Sequence, residues 1–235
     1  MLDNQYDRVT SNHRSGKLGN KMYKVAIGSD RVFDRKEERK NKQYWVLIMV
    51  DESGSMSSGI DYRRHSPRKI DIAAQSISAI SEALSKHNIN FCIIGFNEFI
   101  RIHKTFEDKF SKLDYINMND QILKSLRYGG QCNHDLIAVL QGQEIIKGLP
   151  RDNTIGMLFL DGLPACGCSM YGSHKSGKLN LVDEAIALSK QCKLITFGIG
   201  NAKIESYYPN VVNIASLDNF MERSIIAIQA IIQKG

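Results

Sequence analysis

Asp51-Glu52-Ser53-Gly54-Ser55 directly follows the apolar run Tyr44–Val50 (YWVLIMV). Asp51, Ser53 and Ser55 offer one carboxylate and two hydroxyls at alternate positions. Three oxygens can therefore face one point, while Gly54 relieves the turn. A second apolar run, Ile155–Leu160 (IGMLFL), ends in the same way at Asp161-Gly162. Between them, Tyr128-Gly129-Gly130-Gln131-Cys132-Asn133-His134-Asp135 stands before a helical stretch, and Asn133 or Asp135 can add another oxygen. Either residue also suits a helix cap, and the two roles are compatible. Carboxylate, amide and hydroxyl oxygens are hard donors that suit Mg²⁺, Mn²⁺ or Ca²⁺ far better than zinc or copper. The candidate metal ligands are thus Asp51, Ser53, Ser55, Asn133, Asp135 and Asp161, with the choice between Asn133 and Asp135 left open by spacing.

These residues need elements to bring them together. Tyr44–Val50, Phe91–Phe96, Ile155–Leu160 and Leu194–Ile199 are continuous apolar runs of strand length, the pattern of strands buried on both faces of a parallel sheet. Ile100–Phe106 follows Phe91–Phe96 after a short link and reads as an edge strand paired with it. Helices are expected over Ile70–Lys86, Asn119–Leu126, from His134 or Asp135 to about Lys147, over Leu179–Gln191 and over Ser216–Ile232. This alternation implies a three-layer α/β/α sandwich, its central sheet mostly parallel with one antiparallel edge strand. In such sheets ligand sites form beyond the carboxyl ends of the strands, near the switch in strand order. Asp51 and Asp161 can therefore converge. Residues 1–42 read as a polar, basic arm, with a short strand and turn within Met22–Phe33, and residues 43–235 as the folded domain.

In order and spacing, these pieces resemble the von Willebrand factor A family, whose metal-ion-dependent adhesion site combines D-x-S-x-S, a Thr from a second loop and an Asp from a third. Here D-x-S-x-S is Asp51, Ser53 and Ser55 within VDESGSM, the third-loop Asp is Asp161 in LDGLP, and Gly198-Ile199-Gly200 matches the end of the family's next strand. The resemblance covers roughly residues 43 to 235. The chain departs from the pattern in the second loop, where Asn133 stands at the Thr position. Asn133-His134-Asp135, together with the upstream Arg31-Val32-Phe33-Asp34-Arg35-Lys36, is similar to the cobaltochelatase-like subgroup of bacteria and phages. The resemblance implies a metal-dependent protein-binding module rather than an enzyme. It further implies a partner that places an acidic side chain on the metal, with an AAA+ ATPase as that partner.

Composition agrees with a globular domain. The 235 residues are 43% hydrophobic and 24% charged, and the net charge is +6. There is no run of about 18 apolar residues to span a membrane. The polar start MLDNQYDRVTSNHRSGK lacks the apolar core of a signal peptide, so a cytoplasmic location is expected. Five cysteines argue against a disulfide framework, and Cys92 and Cys192 read as small core residues. The basic residues near Arg31–Lys42 are mixed with acids, which favours a solvated surface over a nucleic-acid stripe. Gly172–Lys178 fits G-x-x-x-x-G-K, but Leu179 replaces the hydroxyl residue a phosphate loop needs. A metal-dependent phosphoryl-transfer or hydrolytic enzyme is the main alternative. It would need Glu52 or His134 as a base, and neither has a catalytic spacing. A nucleic-acid-associated protein using the basic arm is a further one.

Overall fold

The computed structural model describes residues 8–13, 17–18, 33–37, 43–60, 66–109, 111–125, 133–162, 180–200 and 204–214. The chain divides into two compact units, Met1–Lys42 and Gln43–Gly235. In the first, β1 (Arg8–His13), β2 (Lys17–Leu18) and β3 (Phe33–Glu37) form an antiparallel sheet in the order β1-β3-β2. The segment expected to be an aperiodic arm thus contains paired strands. Backbone hydrogen bonds can carry such a ladder without the alternating apolar face that sequence reading looks for. Most of the strand and turn expected within Met22–Phe33 lies outside the described residues.

The second unit is built on a six-stranded sheet. Its strands are β4 (Trp45–Asp51), β5 (Asn90–Phe96), β6 (Ile100–Lys104), β7 (Thr154–Leu160), β8 (Lys193–Ile199) and β9 (Val211–Ile214). They lie in the order β6-β5-β4-β7-β8-β9, all parallel except β6, which runs antiparallel to β5. The three-layer sandwich with a mostly parallel sheet and one antiparallel edge strand is therefore observed. From β4 the chain moves outward to β5 and β6, then returns to β4's other side with β7. The switch in strand order falls between β4 and β7, beside Asp51 and Asp161.

The apolar strands are buried on both faces because helices cover both. Val46, Ile48, Val50, Phe91, Ile93, Met157 and Phe159 face α1 (Lys69–Lys86) and α2 (Lys112–Ser125). Leu47, Met49, Cys92, Ile94, Phe96, Leu158 and Leu160 face α3 (Asp135–Ile145) and α4 (Leu181–Gln191). Each large apolar side chain so buried contributes about 1.5–3 kcal/mol. Cys92 and Cys192 are free and buried, as expected of core residues. Two elements differ from the sequence reading. Helix α2 starts at Lys112 instead of Asn119, and β9 was not expected at all. Among the described side chains of α2, Met118 and Ile122 are the buried apolar ones, and neither lies in its first turn. Strand β9 has only four residues. The helix expected over Ser216–Ile232 lies outside the described residues. No described helix is long and apolar enough to cross a membrane.

Candidate metal centre

Strand β4 delivers Asp51 at its last position, fully buried. The chain then turns through a single 3-10 turn, Gly54–Ser57, whose Met56 plugs into the core and anchors the loop. Asp51 Oδ1 accepts from the Ser53 amide at 2.7 Å, so the loop folds back on its own carboxylate. Ser53 Oγ and Ser55 Oγ lie 2.9 Å apart. Ser55 Oγ donates to Asp161 Oδ1 at 2.9 Å, joining the ends of β4 and β7. Asn133 Nδ2 points to Asp51 Oδ2 at 3.4 Å, and Asn133 is itself buried. Its loop is tied to the end of β5 by the His134 amide, which donates to the Asn97 carbonyl at 3.1 Å. Asp51, Ser53, Ser55, Asn133 and Asp161 are thus linked in one chain of contacts. Ser55 is exposed while Asp51 and Ser53 are not, so the cluster opens to solvent on the Gly54–Ser55 side.

Asp135 sits two residues beyond Asn133, at the start of α3. Its Oδ2 accepts from the Tyr208 hydroxyl at 2.6 Å, whereas its Oδ1 is buried without a hydrogen-bond partner. Burial raises the Asp135 pKa to about 7, with the Tyr208 hydrogen bond opposing and the nearby Asp161 charge adding to the rise. Burial likewise pushes Asp51 well above the usual carboxylate range, reinforced by the charges of Asp135 and Asp161 and opposed by its bonds to Ser53. Three aspartates held within electrostatic reach of one another, one with an orphaned buried oxygen, form an environment that a cation would relieve. The donors fit a hard divalent ion. Among the described residues no three or more His, Cys, Asp and Glu side chains gather as a metal cluster. The set is mixed instead, with hydroxyl and amide groups between the carboxylates.

Other residues at the site were not among the candidate ligands read from the sequence. Lys69, the first residue of α1, reaches Asp161 Oδ2 with its ammonium at 3.0 Å. Tyr208, between β8 and β9, holds Asp135. Glu52 carries no sign of a base within reach of the cluster. Its side chain is fully buried, with Oε2 accepting from Arg101 Nη1 at 2.7 Å and Oε1 bonded to His103 Nε2 at 2.6 Å. The space it fills is the missing side chain of Gly95, where a Cβ would lie 2.1 Å from Glu52 Oε1. Arg101 and His103 alternate along β6, a two-residue spacing that puts both on one face. That pattern was the available signal. Loop residues Tyr128–Cys132, Arg63-Arg64-His65, and Leu163–Leu179 with Cys166, Cys168 and His174 lie outside the described residues.

Residues 32–128 match the family model described as the cobalamin biosynthesis protein CobT VWA domain, a span that includes the Asp51–Ser55 loop and ends before Asn133 and Asp161. No curated protein matches the chain. Among solved structures, proximal thread matrix protein 1 from the mussel byssus is similar with a TM-score of 0.56 at 13% identity, over 80% of this chain and 46% of that one. A second structure of that protein, with a zinc-occupied MIDAS motif, gives a TM-score of 0.53 at 13% identity over 79% and 47%. A von Willebrand factor type A protein from Catenulispora acidiphila gives a TM-score of 0.54 at 12% identity over 99% and 51%. This chain therefore spans about half the length of those proteins.

Proposed function

We propose that this chain, similar over residues 32–128 to the CobT VWA domain and in fold to a von Willebrand factor type A protein, is a metal-dependent protein-binding module that engages an acidic side chain of its partner. The observation that carries this reading is the meeting of Asp51, Ser53, Ser55, Asn133 and Asp161 from three separate loops at the switch in strand order. Asp51, Ser53 and Ser55 would hold the cation from the first loop, with Asp161 opposite and Asn133 or Asp135 from the second. Mg²⁺ is the ion best matched to the donors, with Mn²⁺ and Ca²⁺ as close alternatives. Bound there, a divalent cation supplies an electrophilic centre with a coordination position that a partner's carboxylate can take. Ser55 lies on the open side, where that carboxylate would arrive. Tyr208 holds one Asp135 oxygen and so sets that carboxylate's direction.

Glu52 supports binding over catalysis. The residue best placed in sequence to act as a base has both oxygens engaged by Arg101 and His103 and is shut away from solvent. The resemblance of Asn133-His134-Asp135 and Arg31–Lys36 to cobaltochelatase-like subunits makes an AAA+ ATPase the partner we propose. Calorimetric titration of metal-free protein with Mg²⁺ and Mn²⁺ tests the centre. Saturable binding that disappears in Asp51→Ala is expected, and binding indifferent to Asp51 would remove the mechanism. Co-purification of an AAA+ ATPase that is lost in EDTA and in Asp51→Ala tests the partner.

A further inference from the structure

Lys69 stands where helix electrostatics disfavour it. It is the first residue of α1, and the unpaired amides and aligned dipoles of a helix N-terminus attract anions. Asp71, in the same turn, obeys that preference and Lys69 opposes it. Nor does Lys69 extend into water, since its side chain is only 18% exposed. Three contacts hold it. Its amide donates to the Ser58 carbonyl at 3.0 Å, closing the loop that began at Asp51. Its stem lies against Gly200, which has a φ of +79° and no side chain; a Cβ there would be 3.6 Å from Lys69 Cε. Its ammonium meets Asp161 Oδ2 at 3.0 Å, while the other oxygen of Asp161 faces Ser55. Ordering a lysine side chain costs roughly 2 kcal/mol of rotamer entropy. Attraction to the acidic cluster is what offsets that cost and the dipole.

We infer that Lys69 is a resident counter-cation that sets the charge of the metal centre, weakening divalent-ion binding while favouring the carboxylate of a partner. The inference rests on the metal-binding reading above. The ammonium 3.0 Å from Asp161 Oδ2 offsets one negative charge of the acidic cluster, so a divalent cation entering beside it meets a weaker attraction. With the cation bound, the same ammonium adds to the positive field that an incoming acidic side chain meets. Without Lys69 the loaded pocket is more negative by one charge and holds that side chain less. Removing the lysine therefore acts in opposite directions on the two ligands, a signature that loss of fold or of mere packing does not produce.

The test titrates Mn²⁺ into the full chain as wild type, Asp51→Ala, Lys69→Met, Lys69→Gln and Lys69→Arg, then titrates acetate into each Mn²⁺-loaded protein while water relaxation reports displacement of metal-bound water. Lys69→Met is expected to bind Mn²⁺ about tenfold more tightly and acetate several-fold more weakly, roughly. Lys69→Gln keeps a donor for Asp161 without the charge, and should move both affinities in the same directions even if the methionine variant folds poorly. Lys69→Arg keeps the charge and should stay near wild type. High salt should narrow the differences. Unchanged or weaker Mn²⁺ binding in both neutral variants, with wild-type binding intact and Asp51-dependent, overturns the role of Lys69 alone. Absence of Mn²⁺ binding in the wild type overturns the metal reading and this inference with it.

Discussion

Gly95→Ala should be among the most damaging single-methyl additions in this domain. The new Cβ would lie 2.1 Å from Glu52 Oε1, 2.3 Å from Glu52 Cδ and 2.7 Å from His103 Nε2. Glu52 cannot swing aside freely, because Arg101 and His103 hold both its oxygens and the side chain is fully buried. Overpacking alone costs about 1–3 kcal/mol. Pulling a buried carboxylate from its partners costs about 3–5 kcal/mol. Partial relaxation of the edge strand β6 should place the total near ~3 kcal/mol. For a domain of this size that is a fall of roughly 6–12 °C in melting temperature. Urea unfolding of Gly95→Ala, Glu52→Ala and the double variant measures it as a cycle. On the Glu52→Ala background the added methyl keeps only its close approach to His103 Nε2, a ring freed from its Glu52 partner and able to shift, and should cost about 1 kcal/mol. Equal cost on both backgrounds, or a wild-type-like Gly95→Ala, would refute the claim that Gly95 exists to admit Glu52. Because Glu52 adjoins Asp51, the single variant should also weaken divalent-ion binding.

Three further outcomes follow from the aspartates. Burial raises the pKa values of Asp51 and Asp135, the latter to about 7 against an unfolded value near 3.8. Between those values the folded, metal-free protein holds more protons than the unfolded one, so its stability should fall as pH rises from about 4 to about 7. Divalent-ion binding should release protons in that window and tighten with rising pH; urea midpoints and calorimetry in buffers of different ionisation enthalpy would show whether either trend is absent. Tyr208→Phe leaves Asp135 without its hydroxyl donor and should cost about 1–3 kcal/mol, more at pH 8 than at pH 5, and an equal loss at both would count against the assigned hydrogen bond.

Much of the frame was legible because burial on both faces writes itself as continuous apolar runs. Strands β4, β5, β7 and β8 were read to within a residue or two, and α1 and α4 followed from their apolar period and polar ends. Helix α2 was read short because the buried apolar side chains described in it, Met118 and Ile122, come late. Strand β9 was missed because Val211–Ile214 is too short to show a pattern. The paired strands of the first unit carry no apolar alternation to announce them.

At the metal centre the division is sharper. Oxygen-bearing residue types placed directly after apolar runs, as Asp51 and Asp161 are, mark a candidate hard-metal site from sequence alone, because strand ends in parallel sheets are where ligands bind. Partnership is a different matter. That Lys69 meets Asp161, that Tyr208 holds Asp135, and that Arg101 and His103 occupy Glu52 all depend on which strand lies beside which. Sequence periodicity reports what each element buries, but strand order is chosen by how the whole sheet and its helices pack. Only that packing decides which polar groups, far apart along the chain, must satisfy one another.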